Sequence, residues 1–366
     1  MIEPPVVVLS KDEICATAQS IERCQLPSGM VPWFEGGHCD PWNHVESAMA
    51  LSAAGRSIAA ERAYEWLRAT QLGDGSWCNY YRSDGSIEDP KRDTNVCAYI
   101  AAGIWHHYLA TANLSFVESY WPVVESAIDF VLSWQRPGGE LTWSVDAAGR
   151  PGDFALLAGS SSCYLSLRCA IACAERVGRD RPDWKLAAGR LGYAVASREA
   201  CFEPKRRFAM DWYYPVLSGA LSPCRAAERI EGRWDEFVIE GRGVRCVADR
   251  RWVTVAETAE CAMALNALGR VRAAADLLCW VQDQRCPDGS YMTGLVYPER
   301  ASFPTDERSS YSAAAMILAV DALSASGPAA ALFSGRSLPA QPHSGQSRHD
   351  GPRADEPHPD RLSFMT

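Results

Sequence analysis

The chain has 366 residues, 47% hydrophobic and 22% charged, which is enough to bury a large core and is typical of a globular protein. A net charge of −9 argues against nucleic acid or an anionic membrane as the main partner, since both call for a positive face. No apolar run is long enough to span a bilayer and the first ten residues lack a secretory pattern, so a cytoplasmic location is expected.

In chain order, helical periodicity predicts an amphipathic segment at Asp12–Arg23, then a charge-poor one at Pro41–Ala54. The alternation continues with Ser57–Thr70 and Asp93–Thr111, Phe116–Gln135 and Ser160–Ala174, Trp184–Glu199 and Asp211–Leu221. Cys224–Trp234 and Val255–Leu268, then Val271–Gln284 and Ser309–Ser324, complete it. Between them recurs a phrase of Gln, a Gly-containing turn and an aromatic, at Gln71–Trp77, Gln135–Trp143 and Gln284–Tyr291, with a fainter copy at Gln25–Trp33. A helix without a polar face must be surrounded by other helices. Six amphipathic and six apolar helices therefore predict an all-α (α/α)6 toroid, charged set outside, over residues 1–326. From Gly327 to Thr366 the composition turns to Gly, Pro, Ser, Arg and His and predicts a disordered tail, with His343, His349 and His358 solvated.

Fourteen cysteines without a CxxC pair, most within helical patterns such as Cys97, Cys163, Cys169, Cys173, Cys261 and Cys279, read as small core residues in a reducing compartment. No metal site, cofactor-binding motif or phosphate-cradling loop is recognised; Gly241-Arg-Gly243 follows no strand pattern.

Acids fall at or near the starts of the inner helices: Asp40, Asp93, Asp211, Glu257 and Glu307. In a toroid these ends meet at one mouth. Each acid also has a plain structural reading, as a cap or a partner of the helix dipole. All five together, however, put charge on a shared rim and make a candidate catalytic set. His38, Trp42, Asn43, Tyr81, Trp212, Tyr213 and Trp252 are the candidate substrate-binding residues, with Tyr80, Tyr214 and Tyr297 nearby. Trp66, Trp121, Trp134 and Trp280 belong to outer helices and are expected to pack between them. Aromatic faces stabilise cations or stack on sugars, and composition does not separate the two uses. Glu257 and Glu260 lie about one turn apart and are placed to perturb each other, unless Glu260 turns aside to pair with an Arg. Ser160-Ser-Ser162 reads as a helix entry rather than a nucleophile.

The Gln…Gly…Trp phrases resemble those of the terpenoid cyclase and protein prenyltransferase superfamily, over about residues 11–325. That resemblance implies an isoprenoid or similar apolar substrate, with Asp93 or Asp211 as the acid. Arg92, in Pro90-Lys-Arg-Asp-Thr94, occupies the place of the cyclases' proton-donating Asp. Ser161 stands two residues before Cys163-Tyr164, where the prenyltransferases' zinc-binding Asp would be. The alternatives are a carbohydrate-active (α/α)6 hydrolase or lyase using two of the same acids on a glycan, favoured by a polar rim of His38, Asn43, Asn79, Arg245 and Asp249, and a non-catalytic ligand-binding toroid.

Overall fold

A computed structural model describes residues 7–339. In chain order the helices are α1 (Lys11–Cys24), α2 (Pro41–Ala53), α3 (Ser57–Thr70), α4 (Thr94–Ala98), α5 (Ile100–Thr111), α6 (Leu114–Leu132) and α7 (Leu157–Arg176). They continue with α8 (Pro182–Ser197), α9 (Ala209–Leu217), α10 (Pro223–Glu231), the single turn α11 (Trp234–Phe237), α12 (Val255–Ala267), α13 (Val271–Trp280) and α14 (Ser310–Ser324).

The inner ring closes on itself: α2 packs on α5, α5 on α7, α7 on α9, α9 on α12, α12 on α14 and α14 on α2. Outside it, α3 covers α2, α6 covers α5, α8 covers α7, α10 covers α9, α13 covers α12 and α1 covers α14. The toroid expected from charge alternation is the fold observed. Every residue of α2 except Ala53 is buried, whereas α10 buries only Ala226 and Ile230. The second inner helix is interrupted at Tyr99, so α4 and α5 together fill that position.

The recurring phrase is a clamp between successive outer helices. The Gln71 amide donates to the Gly75 carbonyl (2.9 Å) and to the Val123 carbonyl of α6 (3.0 Å). Gln25 does the same with Gly29 and Ala59 of α3, and Gln135 with Gly139 and Ala187 of α8. Each phrase also sets a glycine directly on the next outer helix: Gly29 on the Arg62 carbonyl, Gly75 on Ser126 and Gly139 on Arg190. The copy after α13 sets Gly289 on Ala16 of α1, which closes the outer ring.

The nine strands among the described residues all lie in connections from an outer to an inner helix. β1 (Tyr80–Tyr81) pairs with β2 (Ile87–Asp89), β3 (Arg92–Asp93) with β4 (Ser144–Val145), and β5 (Val238–Ile239) with β6 (Gly243–Val244). β7 (Trp252–Thr254), β8 (Gly294–Val296) and β9 (Ala301–Ser302) form a three-stranded sheet. The structured loops therefore gather at the N-terminal ends of the inner helices and build one elaborated mouth, as unequal loop lengths implied.

At the opposite end the chain runs on past Ser326, where composition predicts a tail. Ala329–Ala331 form a short 3-10 turn against α14 and α5, and Leu332, Phe333 and Leu338 are buried. This stretch carries enough apolar residues to pack, so the ordered body extends to at least Pro339. The remainder of the expected tail, with its three histidines, lies outside the described residues.

Candidate active site

Asp40 caps α2, with Pro41 in the first turn. Its carboxylate accepts hydrogen bonds from the Asn43 backbone (2.9 Å) and side-chain (2.6 Å) N–H groups and from the Trp33 indole. Burial raises its pKa, and these donors oppose the rise without cancelling it. Trp33 in turn packs on His38 (4.9 Å between ring centres) and on Tyr311 of α14 (6.4 Å). His38 meets Tyr80 edge-on at 4.9 Å. Tyr80 lies in the field of both Asp40 and Asp93, and burial together with those charges pushes its phenol up to about 12.

Asp93 caps α4 through the Asn95 (2.8 Å) and Val96 (3.4 Å) amides, and burial lifts its pKa to about 6. Arg92 donates to the Asp146 carbonyl and approaches Asp74 (3.4 Å). Asp211 does not cap its own helix; it accepts from the Ala158 amide at the start of α7 (3.2 Å). Glu257, in the first turn of α12, is partly exposed, and burial together with the Glu257 charge raises the Cys246 thiol. Glu307 precedes α14 in a loop, because Ser309 is that helix's cap; its carboxylate accepts from Thr293 (2.8 Å).

Of the aromatic candidates, Trp42 is the one at the centre of the mouth. It lies 5.0 Å from Tyr99, 6.4 Å from Tyr214 and 5.4 Å from Tyr311, and its indole N–H reaches Ser162 across the ring. Asn43 serves Asp40. Tyr213 is fully buried and donates to Glu260. Tyr81 and Trp212 are placed differently from expectation. The Tyr81 ring packs on Trp66 of α3, and Trp212 stacks on Phe237 while donating to the Arg229 carbonyl of α10. Both turn from the mouth toward the outer layer, because their positions put them on the outward side of the ring. Trp252 packs on Phe303 at the rim.

Beneath Trp42 lie two carboxyl groups, Glu260 and Glu46, the second of which is not among the expected site residues. Glu260 accepts from the hydroxyls of Tyr213, Tyr214 (2.8 Å) and Tyr311 (2.8 Å), so it pairs with no Arg. Glu46 accepts from Tyr99, and its second oxygen has no partner among the described residues. Burial raises Glu46 to about 7; burial and then the neighbouring Glu46 charge raise Glu260 to about 8. Glu46 is the single charge in the otherwise uncharged stretch Pro41–Ala54, and that isolation was the signal available in the sequence.

Because these folded-state values lie above the ordinary carboxyl value of 4.5, the folded protein holds protons that the unfolded chain has released. The pair's contribution to stability is accordingly largest below the unfolded value and is lost as pH rises through the folded ones. Burial lowers His44 and His107 to about 4 and His106 to about 3, which acts in the opposite sense below about pH 6.5, so the pair is read above that range: melting temperature followed from about pH 7 to about pH 9 should fall, and the Glu46→Gln/Glu260→Gln variant should flatten that slope.

All fourteen cysteines are free thiols; of those expected in the core, Cys279 is exposed, since it lies on the outward face of α13. No group of three or more His, Cys, Asp or Glu side chains among the described residues is arranged to hold a metal ion, and no helix among them is long and apolar enough to cross a membrane.

No protein-family model matches the chain. It is 49% identical over 332 residues to the MMP endo-(1,4)-3-O-methyl-alpha-D-mannosidase of Mycolicibacterium hassiacum, covering 91% of this chain and 92% of that protein. Among solved structures, a wild-type glycosidase superposes with a TM-score of 0.68 at 16% identity, over 90% of this chain and 97% of that one. A D-mannose isomerase superposes with a TM-score of 0.62 at 10% identity, over 87% and 99%. These two structures share the fold. The match to a mannosidase overturns the expected prenyltransferase or terpenoid cyclase identity, and the isoprenoid substrate with it. The Gln…Gly…Trp phrase that suggested them clamps one outer helix to the next in this chain, a mechanical role. By its extensive identity over nearly the whole of both proteins, the chain belongs to the family of the MMP endo-(1,4)-3-O-methyl-alpha-D-mannosidase.

Proposed function

We propose that the protein is an endo-acting glycoside hydrolase that cleaves α-(1→4) links between 3-O-methyl-mannose residues. The observation that carries this reading is the 49% identity to an enzyme of that name over nine-tenths of each chain. The mouth suits such a substrate. Trp33, Trp42 and Tyr311 offer apolar faces to sugar rings and their methyl groups, with acids close by.

Glycoside hydrolysis needs two carboxyl groups, one to protonate the leaving oxygen and one to act on the opposite face of the sugar. In the inner ring α14 lies between α2 and α12, so Asp40 and Glu257 flank Tyr311 from either side. We assign Asp40 as the acid from its place beside Trp33 and Tyr311, opposite Glu257; burial raises its pKa in the sense an acid needs. Glu257, the rim acid that solvent reaches, is the partner that takes a proton from water or attacks directly. Asp93 stands further round the ring beside Lys91 and Trp143 and serves α4 as a cap. The fourteen free thiols support a cytoplasmic location.

Purified protein incubated with an α-(1→4)-linked 3-O-methylmannose oligosaccharide should yield shorter oligomers by internal cleavage, read by mass spectrometry, and should act far less on the unmethylated oligomer. Intact substrate, or release of single residues from one end only, would contradict the reading.

A further inference from the structure

The proposed endo action raises the question of where the rest of a long glycan lies. Besides the acids at its centre, the mouth carries a cavity of about 460 Å³ lined by Leu157, Phe202, Pro204, Lys205, Arg206 and Asp211, together with neighbouring loop residues. Leu157 and Asp211 sit in the first turns of α7 and α9, and the others belong to the outer-to-inner connection that leads into α9. The cavity therefore opens on the same face as Asp40. In the closed order of the inner ring α9 is three positions from α2, so the cavity lies across the mouth from Asp40.

Its chemistry is that of a sugar site. Asp211 is 6% exposed, uses one oxygen on the Ala158 amide (3.2 Å), and is an acceptor for hydroxyl groups. Lys205 is half-buried and has no ion-pair partner among the described residues, so its ammonium is an available donor. Leu157, Phe202 and Pro204 supply an apolar surface for ring faces and methyl groups. Glu199, which also borders the cavity, is engaged by Arg229 (3.2 Å) and adds no free charge. The volume falls within the range of about 300–1,000 Å³ found for small-molecule pockets.

We propose that this cavity is a distal glycan-binding subsite that holds sugar residues several units from the cleaved bond, with Asp211 and Lys205 as its polar contacts. The inference rests on the glycosidase reading. It gives Asp211, one of the five rim acids, a role in binding the chain and not in the bond-breaking step. The consequence is a preference for long oligomers over short ones.

The test is calorimetric binding of a long and a short 3-O-methylmannose oligomer to protein carrying Glu257→Gln, with and without Lys205→Ala or Asp211→Asn. Lys205 lies in a surface loop and its replacement is not expected to disturb folding, which covers the case of Asp211→Asn losing the Ala158 contact. Each added substitution should weaken binding of the long oligomer about tenfold relative to the short one. Unchanged long-to-short selectivity in the Lys205→Ala background overturns the subsite. Failure of both oligomers to bind overturns it as well. Cleavage by the wild-type protein, measured in parallel, shows whether the glycosidase reading falls with it.

Discussion

Glu257→Gln is expected to lower kcat on 3-O-methylmannose oligosaccharides by roughly 10²–10⁴-fold, the range supplied by a positioned acid or base. Asp40→Asn should do the same. Both changes keep the size of the side chain and remove its proton chemistry, so KM and the melting temperature should move little for Glu257→Gln. Asp40→Asn needs more care, since Asp40 also caps α2 and accepts from the Trp33 indole. A neutral amide retains an acceptor oxygen for the cap but turns donors toward the Trp33 and Asn43 N–H groups, so some loss of stability accompanies the loss of rate. Asp93→Asn is the informative comparison. If Asp93 serves α4 only, its replacement lowers stability and leaves most of the rate. A loss at Asp93 as large as that at Glu257, with Asp40→Asn still active, would transfer the acid's role to Asp93.

The second large effect is on folding. Gly75→Ala is expected to destabilise the protein by about 4 kcal/mol or more, the scale reserved for a steric conflict that cannot relax. Gly75 has φ +90°, and a Cβ there would overlap the backbone of Ser126 in α6. The neighbour is a helix carbonyl, which cannot swing aside, and the Gln71 clamp fixes the loop against it. Gly85 provides the control: its φ is +85°, yet a Cβ would meet nothing within 4 Å. Gly85→Ala should therefore cost only the left-handed backbone penalty, about 1–2 kcal/mol. Chemical denaturation of the two variants side by side separates backbone strain from the overlap; equal losses would show that the clamp is not tight.

How much of this was legible beforehand varies by residue. The alternation of Asp12–Arg23 with Pro41–Ala54 and its successors was a direct record of burial, because a helix surrounded by helices has no place for charge. The Gln71 phrase marked a real structural unit, but its meaning was misread as a sign of isoprenoid chemistry. Its hydrogen bonds run to Val123 in the next outer helix, a partner 52 residues away that no local pattern names. Glu307 looked like a helix opener because it precedes an apolar run, whereas Ser309 takes the cap and leaves it in the loop. Tyr81 and Trp212 looked like mouth residues because they adjoin candidate acids or rim loops, whereas their rings turn outward.

The sequence by itself determined the ring: the alternation of inner and outer sets and the mouth to which acids are carried follow from periodicity and composition, which are properties of neighbouring residues, whereas the break at Tyr99 and the extra turn at Trp234–Phe237 do not. Only the tertiary structure decided which groups face one another there. Trp42 and Tyr311 meet although 269 positions separate them, Glu260 gathers three tyrosine hydroxyls from two other helices, and Glu46 comes to lie close enough to raise its pKa. Those pairings depend on closing the toroid, and closure is a long-range event whose partners are fixed by packing around the whole ring.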